Sequence, residues 1–168
     1  MTIFLCGFMG CGKSTIGQIL AKNCGCNFCD TDELIVKEVG KTIPEIFAQE
    51  GESYFRAVEA ETVKSLCGKN TVVACGGGAM QNSGTAETVK NNGGMVVYLN
   101  VPFEVCYERI KEDTNRPIVM NNTKEQLEEI YNTRHEIYMK NSTMMVEAVG
   151  SPLEIARNII DIIKKERR

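Results

Sequence analysis

The chain has 168 residues, 43% hydrophobic and 24% charged, with a formal net charge of −3 and no tryptophan. That length fits one domain with a substantial core. An acidic balance without a basic stripe argues against a nucleic-acid surface, and the longest apolar runs, such as Met95–Leu99, are too short to span a bilayer.

The first strand-like run is Thr2–Cys6. It lacks a basic n-region and a cleavage site, so it reads as a strand and not as a signal peptide. It feeds directly into Gly7-Phe8-Met9-Gly10-Cys11-Gly12-Lys13-Ser14, a complete G-x-x-x-x-G-K-[ST]. Glycines let such a loop curl so that several N–H groups converge on a phosphate. Lys13 is placed to reach the β- and γ-phosphates, and Ser14 offers a hydroxyl to Mg²⁺. A helical pattern over Lys13–Asn23 follows and adds its positive N-terminal end. The loop therefore points to a nucleoside triphosphate.

A second strand, Asn27–Asp30, ends in Asp30-Thr31-Asp32. Ligands gather at the carboxyl ends of parallel strands, so this pair lies beside the phosphate loop. Two readings stand here. One carboxylate serves Mg²⁺, directly or through water, while the other faces a substrate hydroxyl; or Asp30 or Asp32 caps the helix over Glu33–Val39.

Amphipathic helices follow over Ile43–Gln49 and Glu52–Leu66. Arg56 lies in the second, with Glu59 three residues on and able to hold the guanidinium in one rotamer. A third strand, Thr71–Cys75, ends in Gly76-Gly77-Gly78-Ala79. Three glycines there either offer unobstructed N–H groups to a ligand or form a flexible turn.

A weaker helical pattern spans Ser83–Asn91. The fourth strand is Met95–Leu99, and Pro102 opens a helix over Phe103–Lys111. The segment Glu112–Lys124 has loop chemistry and holds Arg116: a lid candidate or an ordinary connection. A charged helix over Lys124–Lys140 carries Arg134. A weak fifth strand, Thr143–Val146, and a helix over Leu153–Lys165 complete the chain. Arg56 and Arg134, on separate helices, suit a clamp on one small carboxylate; each also reads as a solvated surface charge. Strands alternating with helices argue for a parallel sheet covered on both faces.

There are eight cysteines and one histidine. Cys26-Asn27-Phe28-Cys29 is a C-x-x-C without a second pair, so it falls short of a zinc site. A redox pair is the alternative to small apolar side chains, the reading given to Cys6, Cys29 and Cys75. Unpaired thiols with phosphate chemistry place the expected setting in a reducing cytosol.

Taken in order, these motifs resemble the shikimate kinases nearly end to end. The resemblance is carried by the phosphate loop, Phe28-Cys29-Asp30-Thr31-Asp32, Thr42-Ile43-Pro44-Glu45-Ile46-Phe47, Gly51-Glu52-Ser53-Tyr54-Phe55-Arg56 with Glu59, Gly76-Gly77-Gly78-Ala79, Asn115-Arg116-Pro117, and Arg134 before Tyr138. It implies a single nucleoside-monophosphate-kinase-like P-loop domain over 1–168, with a five-stranded parallel sheet in order 2-3-1-4-5. It implies transfer of the ATP γ-phosphoryl group to the 3-hydroxyl of shikimate, with ATP and Mg²⁺, in aromatic amino-acid synthesis. The expected protein is a cytoplasmic monomer with no nucleic-acid or membrane partner.

Carried over by position, Gly10, Cys11, Gly12, Lys13, Ser14 and Thr15 would hold the triphosphate. Ser14 and Asp30 would serve the metal. Asp32, Arg56, Gly76, Gly77, Gly78 and Arg134 would hold shikimate, within a region of about 31–60 and beyond it. Arg116 would swing in from a lid of about 112–124, and Lys13, Asp32 and Arg116 would be catalytic. Arg109 and Pro152 would flank adenine. The turn Val149-Gly150-Ser151-Pro152 departs from the pattern, having no basic residue on the adenine side. Another small-molecule kinase of the same architecture, such as a gluconate kinase, is the alternative; a GTPase-type switch lacks its Asn-Lys-x-Asp motif here.

Overall fold

A computed structural model describes residues 1–166. Five strands form one parallel sheet: β1 (Ile3–Cys6), β2 (Asn27–Asp30), β3 (Thr71–Ala74), β4 (Met95–Asn100) and β5 (Met144–Glu147), in the order β2-β3-β1-β4-β5. The expected order holds. Register is continuous across the centre, with Leu5 opposite both Ala74 and Val97.

Nine α-helices connect the strands among the described residues. They are α1 (Lys13–Cys24), α2 (Thr31–Val39), α3 (Ile43–Gln49), α4 (Glu52–Leu66), α5 (Ser83–Asn91), α6 (Phe103–Ile110), α7 (Pro117–Met120), α8 (Lys124–Asn141) and α9 (Pro152–Glu166). A single 3-10 turn occupies Ala79–Gln81. None of the helices is long and apolar enough to cross a membrane among the described residues.

Alternation along the strands builds two cores. Ile3, Leu5, Val72, Val97 and Leu99 join Ile16 and Leu20 of α1 and Ile155 and Ile159 of α9 on one face. Phe4, Cys6, Val73, Val96 and Tyr98 join Val63 of α4, Val89 of α5 and Tyr138 of α8 on the other. Period-two strands buried on both sides need no polar face. A smaller cluster of Ile35, Ile46 and Phe55 ties α2, α3 and α4 together.

The cysteines are free thiols. Cys6 and Cys75 are buried as small apolar side chains, and burial pushes the Cys6 thiol up to about 12. Cys29 is only half-buried, because β2 is the sheet edge and its pattern is exposed to intermediate throughout.

One expectation changes. The segment 112–124 is not a plain loop: it contains α7, whose Val119 is buried in the first core. Pro117 supplies the first-turn position. The Thr123 hydroxyl and the Gln126 side chain then form a capping box that starts α8.

Helix α1 approaches the sheet at Gly17. A methyl group there would lie 2.6 Å from the Phe28 ring and 3.2 Å from Leu5. Gly17→Val is expected to destabilise the fold by about 2 kcal/mol, read as a lower urea midpoint; an unchanged midpoint would contradict this close packing.

Candidate active site

In the sheet order, β3 lies between β2 and β1, so the residues after all three strands meet at one rim. The phosphate loop leaves β1 at Gly7. Gly10 and Gly12 have φ values of 77° and 93°, a region costly for any residue with a Cβ. Contact also excludes side chains here. A methyl group at Gly7 would lie 2.7 Å from Cys11 Sγ, and one at Gly10 would lie 2.9 Å from Ile110. Gly12 caps α1 without any side-chain bond to the first turn. The opening N–H groups of α1 therefore stay available to an anion.

Lys13 Nζ donates to the carbonyls of Gly7 at 2.8 Å and Phe8 at 3.2 Å, lying across the loop. Asp30 uses its two oxygens differently. Oδ1 accepts from the N–H groups of Asp32 (2.9 Å) and Glu33 (3.3 Å), capping α2. Oδ2 takes the Ser14 hydroxyl at 3.5 Å. Capping and a place beside the phosphate loop are one arrangement.

A cavity of about 260 Å³ is lined by Met9, Gly12, Lys13, Ser14, Asp30, Asp32, Gly76, Gly77 and Arg116 among others. Burial, then the Asp30 charge, pushes the Asp32 carboxyl above its usual range; Lys13, Arg56 and Arg116 oppose the shift. An acid held in this way is a stronger base than an exposed carboxylate.

The glycine turn matches the expected open N–H groups at Gly77 and Gly78 but not at Gly76. Gly76 spends its N–H inside the protein, on Thr31 Oγ1 at 2.8 Å. Each glycine also leaves room for one charged side chain. A methyl group at Gly76 would collide with Asp32 Oδ1, and one at Gly78 with the Arg56 guanidinium. One at Gly77 would lie 3.1 Å from Arg134 Nη1. Asp32, Arg56 and Arg134 thus come together from α2, α4 and α8.

The two arginines differ in their partners. Arg56 Nη1 donates to Glu59 Oε2 at 2.8 Å, and its guanidinium lies over the Phe55 ring. Glu59 is 3% exposed, and its other oxygen, Oε1, has no hydrogen-bond partner. Burial pushes its carboxyl up, and the Arg56 bond pulls it down. Arg134 is half-buried and has no carboxylate partner among the described residues.

Arg116 is exposed at the start of α7, its Nε on Asp113 Oδ2 at 2.8 Å. Arg109 Nη1 donates to the Gly10 carbonyl at 2.8 Å. A second cavity, of about 280 Å³, is lined by Gly10, Cys11, Gly12, Thr15, Arg109, Ala148, Gly150 and Pro152. It adjoins the first through the phosphate loop, so the two together suit a triphosphate tail and its base. Two polar contacts to the glycine turn were missed from sequence: Thr31, given no role of its own within Asp30-Thr31-Asp32, and Gln81, which belongs to no motif.

The chain is similar to known proteins over nearly its whole length. The family model "SKI: Shikimate kinase" matches residues 9–164. A shikimate kinase of Persephonella marina is 40% identical over 163 residues, covering 96% of this chain and 98% of that protein. The shikimate kinase of Acinetobacter baumannii in complex with shikimate superposes with a TM-score of 0.89 at 35% identity, covering 98% of this chain and 93% of the other. Deoxyadenosine kinase from M. mycoides shares the fold alone, at 18% identity and a TM-score of 0.64, with 98% of this chain and all of that one covered (100%).

The Asp32 shift has a consequence for stability. Its carboxyl titrates higher folded than unfolded, so the charged form opposes folding above the folded value, and that penalty vanishes below the unfolded one. Asp32→Asn is therefore expected to raise the melting temperature at pH 7, with the gain disappearing as pH falls through the carboxylate range. A loss of stability at pH 7 would contradict it.

Proposed function

Because the chain belongs to the shikimate kinase family, we propose that it transfers the γ-phosphoryl group of ATP to the 3-hydroxyl of shikimate, giving shikimate 3-phosphate and ADP for aromatic amino-acid synthesis. The observation that carries this reading is the meeting of Asp32, Arg56 and Arg134 over the glycine turn, next to the phosphate loop. A small hydroxylated acid needs cations for its carboxylate and an acceptor for its hydroxyl proton, and this turn supports both.

The triphosphate would lie over residues 10–15, against the open first turn of α1. Lys13 would exchange the carbonyls of Gly7 and Phe8 for phosphate oxygens. Arg109 and Pro152 would flank adenine in the second cavity, where Gly150 adds no side chain. Ser14 and Asp30 fit a hard cation, because Ser14 Oγ and Asp30 Oδ2 already lie 3.5 Å apart. They would hold Mg²⁺, Asp30 through water. When bound, the cation would offset charge on the phosphate oxygens.

Arg134, without a carboxylate of its own, would take the acid's carboxylate together with Arg56. Glu59 would hold Arg56 in place. Asp32 would orient the 3-hydroxyl and accept its proton as the oxygen attacks the γ-phosphorus and ADP departs. Arg116 would come in from the lid segment with Lys13 to stabilise the transferring group. Positioning and charge stabilisation are the main requirements of phosphoryl transfer. Free thiols and the lack of a membrane-crossing helix among the described residues support a cytoplasmic setting, and a monomer suffices because one chain supplies every group named.

A coupled assay with ATP and Mg²⁺ tests the reading: ADP formation is expected with shikimate and not with gluconate. Preference for gluconate would favour the alternative sugar-acid kinase. Asp32→Asn is expected to lower kcat by about 10²-fold or more with little change in nucleotide binding; near-normal turnover would reduce Asp32 to a structural role. Arg134→Ala is expected to raise KM for shikimate far more than KM for ATP, and equal effects would contradict the clamp.

A further inference from the structure

Two side chains from different elements converge on a single backbone oxygen in the glycine turn. Tyr138 Oη, on α8, donates to the Gly77 carbonyl at 2.6 Å. Gln81 Nε2, at the end of the 3-10 turn, donates to the same carbonyl at 2.6 Å. A carbonyl oxygen has two lone pairs, so both are used. The Gly78 N–H, across the same trans peptide, is directed away from Tyr138 and Gln81. Neither Gly77 nor Gly78 gives its N–H to an acceptor among the described residues.

A peptide between two glycines turns over easily, because neither flanking residue has a Cβ to restrict it. A flip here would exchange a donor for an acceptor on the face opposite Tyr138. An anionic, hydroxyl-bearing ligand needs the donor. Tyr138 is 1% exposed, and burial pushes its phenol well above the usual range, so it stays a donor across the working pH. Its bond also fixes α8 over the turn, one helical turn beyond Arg134.

We propose that Gln81 and Tyr138 are positioning residues for the acid substrate: by saturating the Gly77 carbonyl they lock the Gly77–Gly78 peptide in its donor-presenting orientation and hold Arg134 against it. The inference rests on the acid-kinase reading and adds two residues that bear no charge and are not expected to touch the reacting atoms. Gln81→Met keeps the side-chain length without the donor, and Tyr138→Phe removes only the hydroxyl.

Calorimetric titration of the full chain with shikimate, and separately with ADP, tests it. Each variant is expected to weaken shikimate binding about fivefold while changing ADP binding less than about twofold. The double variant is expected to lose more than the product of the singles, because either bond alone still resists the flip. Gln81 is only half-buried, so Gln81→Met decides the matter should Tyr138→Phe disturb the core. Shikimate affinity unchanged in Gln81→Met, or equal losses for acid and ADP in it, overturns the inference alone. A wild-type chain that binds ADP and not shikimate overturns the substrate reading and this inference with it.

Discussion

Three successive residues without a Cβ, at the carboxyl end of β3, set the geometry on which the rest of the site depends. A methyl group at Gly76 would strike Asp32, one at Gly78 would strike Arg56, and one at Gly77 would crowd Arg134. The three charged side chains belong to α2, α4 and α8, which are far apart in the chain. They meet only because the middle strand of the rim ends in a surface with nothing projecting from it. A turn of larger residues would push the cations apart and leave the carboxylate without them.

Charge then divides the rim into two halves. On one side, the first turn of α1, Lys13 and Arg116 form a cationic setting for phosphate, with Asp30 and Ser14 at its edge. On the other, Arg56 is held by Glu59, and Arg134 has no carboxylate partner among the described residues. Asp32 lies between the two, raised by burial and by its neighbour Asp30. A half-buried guanidinium without a counterion is an unfavourable arrangement until an anion arrives. The protein's own net charge of −3 makes that concentration of cations at one rim more telling.

Much of this was legible in the residues. The phosphate loop states its own chemistry, and the strands and helices carry clear periodicities, so Ser83–Asn91, though weakly patterned, forms the helix expected of it. Four things were not legible, for physical reasons. The place of Asp30 could not be read from residue type, since a carboxylate has two oxygens: Oδ1 caps α2 while Oδ2 lies against Ser14 beside the phosphate loop. Segment 112–124 reads as polar loop, yet Val119 finds the core through a tertiary contact that local composition does not encode. The glycines could be flagged but not explained, because the side chains they make room for, Asp32, Arg56 and Arg134, lie between 22 and 57 residues away. The roles of Thr31, Gln81 and Tyr138 rest on bonds to backbone atoms, and such bonds leave no pattern in the sequence even where, as for Thr31 and Tyr138, the residue itself belongs to a motif.

The most direct measurement is a crystal structure of the chain with shikimate and ADP bound together. The shikimate carboxylate is expected in bidentate contact with Arg134 and Arg56 and the 3-hydroxyl on Asp32, with the β-phosphate against the first turn of α1. Shikimate bound away from the glycine turn, or turned so that its carboxylate faces Asp32 and its 3-hydroxyl faces Arg134, would contradict it.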